Sequence, residues 1–218
     1  MSSAHSTALG GLIAVSGIDG SGKSTLVSAF AQSLRSSGAS VEAVAALKSP
    51  QFSPFTLLKG INFPSAAKPS RESWIAGYFA LVLLHNVSAV IAPAIAAGTW
   101  VVTDRWTLDH HAIQLTLGID MAPWLPLLKS APTPDLHLIL DLPPEIAQQR
   151  IDKRGDQGIG AGLQYLQQCR DKMQSLATSP DYAPVVLVDA DASPADLRDR
   201  VLEATRDVMS GRLKTMQP

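Results

Sequence analysis

Eight consecutive residues carry the plainest chemistry in this chain. Gly17-Ile18-Asp19-Gly20-Ser21-Gly22-Lys23-Ser24 fit the spacing G-x-x-x-x-G-K-[ST]. Glycines so placed let successive backbone N–H groups converge on phosphate oxygens, and a following helix adds the positive end of its dipole. Lys23 stands where an ammonium meets the β and γ phosphates of ATP, and the Ser24 hydroxyl where it would ligate Mg²⁺. Gly17, Gly20, Ser21, Gly22 and Thr25 are the other expected contacts to ATP. A glycine turn that merely caps a helix is the plain alternative; the apolar stretch before the loop and the helical pattern after it favour phosphate. Asp19 sits oddly here, because a nucleotide repels a carboxylate. It needs a compensating task, either holding Mg²⁺ through water or accepting a bond from an acceptor sugar; otherwise it faces solvent or caps the helix.

A second acid follows another apolar run. Trp100-Val101-Val102-Thr103 leads straight into Asp104-Arg105. The carboxyl end of a buried strand is where ligands bind in open α/β sheets, so Asp104 is a candidate Mg²⁺ ligand. Arg105 beside it suits bidentate recognition of a phosphate. A simple Asp–Arg ion pair at a strand end is the other reading. Further on, Arg150, Lys153 and Arg154 precede the glycine-rich stretch 155–162. Phosphoryl transfer needs cations closing over the equatorial oxygens and exclusion of water, which a lid at about 153–162 would supply. A solvated basic helix end would look the same.

These residues need a frame. Short apolar runs at Leu12–Ser16, Val41–Leu47, Trp100–Thr103, Leu136–Leu140 and Val185–Val188 read as strands. Helical patterns alternate with them at about 74–97, 107–117, 144–153, 163–178 and 194–208, besides the helix after the loop. Alternation of this kind predicts a parallel sheet with helices on both faces, a three-layer α/β/α P-loop NTPase fold with five strands and a short lid. Residues 1–10 and 211–218 read as tails around a single domain at 11–210. The Pro/Ser-rich connection 48–71 is too long for a plain connector and reads as a functional loop.

Bulk properties agree. With 18 Lys+Arg against 19 Asp+Glu, the chain lacks the cationic excess of a polybasic nucleic-acid binder. Its 46% hydrophobic content is enough for a buried core and excludes a disordered composition. The lone Cys169 and the absence of a basic-then-apolar leader point to the cytoplasm. The uncharged run between Glu72 and Asp104 is interrupted by His85, Asn86, Ser88, Pro93 and Gly98, so a buried helix is expected there, not a membrane span. Trp74, Trp100, Trp106 and Trp124 read as packing residues, not as stacking platforms for nucleic acid.

In order and spacing, GIDGSGKST, GTWVVTDRW, PDLHLILDLPPEIAQQRIDKRG and LVDADASPADL resemble the thymidylate kinase family of nucleoside monophosphate kinases over about residues 11–205. The resemblance implies ATP- and Mg²⁺-dependent conversion of dTMP to dTDP by a homodimer packed through helices. By position it implies that Arg105 contacts the acceptor phosphate and Asp19 the sugar or metal. Phe79 would stack on the base, although core packing on so apolar a helix is its other reading. Lys48, Arg71, Asp109 and Gln114 are the remaining candidate acceptor contacts.

This chain departs from the family on the acceptor side. Leu83 stands where the family reads thymine with an arginine, Asp109 where it has a small hydroxyl residue, and Lys48 falls in the loop that usually carries a phosphate-binding arginine. Gly20 replaces the loop arginine of one subgroup, and no basic residue follows Arg154 before Arg170. A deoxynucleoside or other small-molecule kinase, or an ATP-binding module without phosphotransfer, are the rival readings. His110 and His111 lack the neighbours of a metal site and read as acceptor contacts or packing.

Overall fold

The computed structural model describes residues 10–48, 70–155, 162–182 and 184–214. The expected N-terminal tail up to Ala8 and Leu9, most of the 48–71 connection and the middle of the expected lid, 156–161, lie outside the described residues.

Five strands form one parallel sheet in the order β2-β3-β1-β4-β5: β1 Leu12–Gly17, β2 Val41–Ala45, β3 Trp100–Asp104, β4 Leu136–Asp141 and β5 Val185–Asp189. Between them run α1 Lys23–Ser36, α2 Arg71–Asn86, α3 Ala92–Ala96, α4 Thr107–Thr116, α5 Leu125–Lys129, α6 Pro144–Arg154, α7 Leu163–Ala177 and α8 Pro194–Lys214. Fold class and strand positions follow the alternation read from the sequence. β2 stops two residues short of Leu47, because the chain turns there. The short α5 escaped notice, since five residues give no helical period. α8 continues to Lys214, into the stretch read as a tail.

Strand alternation sorts the core. Ile13, Val15, Val102 and Leu138 join Phe30 and Leu34 of α1 and Leu197 and Val201 of α8 in one cluster. Leu12, Ala14 and Val101, pointing the other way, join Ala76, Ala80, Leu83, Ile91 and Trp106. Both faces are thereby covered, as a parallel sheet requires.

The uncharged run forms α2, a π-helical turn at Val87–Ile91 and α3 without a break. Pro93 has no N–H to give the carbonyl four residues before it, and the ladder widens just ahead of that gap. By length and composition alone Arg71–Ala96 would cross a membrane. Here it lies on the sheet, and Asn86 clamps it by donating to the carbonyls of Ala46 at 2.9 Å and Lys48 at 3.1 Å. Its burial is one-sided: only 22% of the most apolar window is buried, and Trp74, Leu81 and Val90 are exposed. Trp100 and Trp106 are buried, and Trp74, although exposed on one side, packs edge-on against Trp124 with ring centroids 5.4 Å apart.

Candidate functional site

The glycine loop joins β1 to α1 at the carboxyl edge of the sheet. Gly22 holds a left-handed conformation, φ +93°, at the start of α1, and no side chain caps that helix. The first turn of α1 contains no acid, so its free N–H groups face the loop as an anion site. Gly20 is also left-handed, φ +82°, and a Cβ there would stand 2.5 Å from the carbonyl oxygen of Ala147 in α6. The loop arginine of the related subgroup has no room at this position.

Lys23 is buried, and its Nζ donates to the carbonyls of Gly17 at 2.9 Å and Ile18 at 2.8 Å. Burial, helped by the nearby Arg105, pushes its pKa down to about 8. Ser24 Oγ donates to Asp104 Oδ2 at 2.5 Å. That pair brings loop and strand end together as two hard oxygen donors, the chemistry that Mg²⁺ prefers.

Arg105 follows at once and is the one described non-glycine residue with positive φ, +73°. Its N–H donates to the Val15 carbonyl at 2.9 Å, which fixes the turn. The guanidinium donates through Nη2 to Asp19 and faces Asp109 Oδ1 through Nη1 at 3.5 Å. Burial works against its charge, but Asp109, Asp19 and Asp104 outweigh burial and hold its pKa above the ordinary value. Lys23, Ser24, Asp104, Arg105 and Asp19 thus converge from two segments of chain. Arg150 of α6 approaches them, with Nη1 3.5 Å from the Gly20 carbonyl.

The other candidates are placed differently. Asp109 is wholly buried at the start of α4, where Oδ2 accepts the Trp106 N–H at 3.0 Å and Oδ1 accepts the Gly17 N–H at 3.2 Å. Gln114 is buried and reaches His110 Nδ1 at 3.5 Å. His110 Nε2 donates to the Ala76 carbonyl at 2.8 Å, and burial lowers its pKa to about 4. It is a neutral packing residue between α2 and α4. His111 Nδ1 pairs with the Tyr182 hydroxyl at 2.7 Å. Phe79 is half-buried, its ring 6.1 Å from that of His110.

Leu83 lies wholly inside the core, where an arginine would be an uncompensated buried charge. Lys48 and Arg71 are exposed at the two ends of the connection. Lys153 and Arg154 are exposed at the end of α6, which Gly155 closes at φ +68°.

Three functional-looking groups were missed. Ser16 and His137 are buried beside Asp109. Polar residues inside the apolar runs LIAVS and LHLIL were the available signal. Arg170 binds Asp141 through two bonds, at 2.6 and 2.8 Å, and ties α7 to the end of β4. It holds the Asp141 carboxyl below its usual range.

With this geometry in place, similarity to known proteins is informative. The thymidylate kinase family profile matches residues 15–201. A thymidylate kinase of Xanthomonas oryzae pv. oryzae (strain PXO99A) is 33% identical over 205 residues, covering 92% of this chain and 86% of the relative. One from Xanthomonas campestris pv. campestris (strain B100) is 38% identical over 149 residues, 66% of this chain and 62% of the relative. A probable thymidylate kinase of Archaeoglobus fulgidus is 35% identical over 160 residues, covering 73% and 78%. On both the profile and these relatives, the chain belongs to the thymidylate kinase family and is a phosphotransferase of the nucleoside monophosphate kinase type.

Proposed function

We propose that this chain transfers the γ-phosphoryl group of ATP to the phosphate of a nucleoside monophosphate, with dTMP the leading acceptor. The carrying observation is Arg105, poised between Asp19 and Asp109 next to the Ser24–Asp104 pair. Ser24 and Asp104 would hold Mg²⁺, which would neutralise phosphate charge there. Lys23 leaves its loop carbonyls for the phosphates, and the open start of α1 receives them. Arg105 orients the acceptor phosphate in line, and Asp19 holds the guanidinium or takes up a sugar hydroxyl. Lys153 and Arg154, at the base of a lid at about 153–162, would supply the cations that close over the transferred group, and Arg150 would reach ATP. Phe79, Lys48, Arg71 and Gln114 stay as candidate acceptor contacts.

The reading includes a single domain at 11–210, a cytoplasmic location and a homodimer. Trp74 and Leu81, exposed two turns apart on one side of α2, support the homodimer, since a second copy would cover that apolar face. The buried Leu83 favours a second reading, transfer to an acceptor other than dTMP. A coupled ADP-release assay with ATP, Mg²⁺ and dTMP, dUMP or no acceptor separates the two. Selective turnover of dTMP supports the first reading, turnover of another acceptor the second, and no turnover with intact ATP binding overturns both.

A further inference from the structure

Behind the phosphate loop stand three buried polar side chains that take no part in the reaction just described. Ser16 Oγ bonds Asp109 Oδ2 on one side and approaches His137 Nε2 at 2.5 Å on the other, and all three residues are wholly or almost wholly buried. Hydrogen-bond direction in this chain is dictated. Asp109 Oδ1 accepts the Gly17 N–H and faces Arg105, while Oδ2 accepts the Trp106 N–H. Burial pushes the Asp109 pKa up. Every approach to the carboxylate is nevertheless taken by a donor, and Arg105 and Lys23 stand near it, so we take Asp109 as the anion with the Ser16 hydroxyl proton pointing at it. A serine has one proton to give. His137 must therefore donate its Nε2–H to Ser16 Oγ, which leaves Nδ1 unprotonated, and Nδ1 has no hydrogen-bond partner among the described residues. Burial pushes the His137 pKa down to about 4, in keeping with a neutral ring.

We propose that His137 and Ser16 are positioning residues for Arg105, acting through Asp109. The proposal rests on the reading of Arg105 as the acceptor-phosphate ligand. Arg105 holds a backbone conformation that residues other than glycine seldom adopt. Its side chain is braced by Asp19, which is 45% exposed, and by Asp109, which is fully buried. The buried brace keeps its place only if its own oxygens are filled. The relay from His137 through Ser16 fills Oδ2 and sets the carboxylate plane, leaving Oδ1 for Gly17 and the guanidinium. Gly17 is also held by its pairing with Leu140 of β4, so loosening the relay acts on Arg105 before it acts on the ATP cradle.

The test uses the full chain with Ser16→Ala, His137→Leu, His137→Gln and Arg105→Ala, assayed with ATP and dTMP beside a thermal melt of each. Ser16→Ala and His137→Leu are expected to raise the KM for dTMP roughly five- to twentyfold, with the KM for ATP changed less than about twofold. His137→Gln, whose amide N–H can replace Nε2–H, is expected to return to within about threefold of the unmodified chain. ¹⁵N spectra at neutral pH should show His137 protonated on Nε2 alone. An unchanged dTMP KM in Ser16→Ala, an equal rise for both substrates, a glutamine variant as poor as leucine, or the opposite tautomer overturns the proposal. If His137→Leu fails to fold, Ser16→Ala and His137→Gln still decide it. Arg105→Ala separates the two layers. If it leaves the dTMP KM unchanged, the reading of Arg105 falls. If it raises that KM while Ser16→Ala does not, only the positioning role falls.

Discussion

The donor and acceptor sides of the site differ in who completes their hydrogen bonds. On the donor side, Lys23 reaches only carbonyls of its own loop, and Ser24 and Asp104 satisfy each other at positions open to solvent. A cation can exchange into the Ser24–Asp104 pair without leaving a buried group stranded, and Lys23, although buried, can turn its ammonium from the loop carbonyls to a phosphate. On the acceptor side, Asp109 and His110 are buried and answered by neighbours of the same chain. Removing them strands a partner, which costs about 1–3 kcal/mol each. Polar residue types next to a site therefore carry two meanings, and burial with full partnering marks the ones that hold the frame.

The sharpest way to break this contrast is Lys23→Ala. Transfer should fall by about 10³-fold or more while the melt stays within a few degrees, because the lost bonds serve a mobile ligand and not the core. Retained activity would remove the loop from the mechanism. Lys23 also gives a pH signature. Its folded pKa is lowered to about 8, so the free enzyme loses this charge as pH rises through 8, and kcat/KM for ATP should decline there. The sign for stability is opposite: between about 8 and 10.5 the unfolded chain holds the proton that the folded chain has released, so folding is favoured as pH rises through that window. Asp104→Asn comes next in size. It should lower kcat by about 10²-fold and raise the Mg²⁺ concentration needed for half-maximal rate, and an unchanged Mg²⁺ dependence would detach Asp104 from the metal.

The same contrast decides what could be read from the sequence. The five strands, the loop and the Asp104–Arg105 pair were legible, since apolar runs of strand length and a fixed glycine spacing are local signals. The meaning of Asp109 was not. A carboxylate one turn into α4 looks like an acceptor contact until β1 is seen to place Ser16 and Gly17 against it across 92 residues of chain or more. Leu83 looked like a lost specificity residue and proves to be core, because α2 turns that position onto the sheet. The exposed face of the same helix was also illegible, as an apolar run does not reveal how many of its sides are covered.

Two left-handed glycines sharpen the comparison further. Gly38, φ +92°, has open space where a Cβ would go, whereas Gly20, φ +82°, has the Ala147 carbonyl at 2.5 Å. Gly38→Ala should cost about 1 kcal/mol, the backbone strain alone. Gly20→Ala adds a collision with helix backbone and should cost about 3 kcal/mol, together with a higher KM for ATP as α6 is pushed off the loop. Chemical denaturation of the two variants side by side checks the difference, and equal losses would mean that α6 yields freely and does not shape the loop.

The acceptor-side frame can also be tested without any mutation. His110 and His137 are both buried as neutral rings with pKa values lowered to about 4. For a depressed histidine, the unfolded chain takes up a proton near pH 6.5 that the folded chain refuses until about 4, so stability is lost as pH falls through that window. Between pH 7 and 5 the loss should be of order 1–2 kcal/mol for each ring. Asp141, held below the ordinary carboxylate range by Arg170, contributes only at lower pH, whereas His111, lowered by burial, adds to the slope and Asp109, raised by burial, opposes it. Denaturation midpoints at pH 7, 6 and 5 measure the slope, and His110→Gln should make it shallower. A flat profile across those three values would mean that the rings admit a proton where they stand, and the buried frame would then be looser than its hydrogen bonds imply.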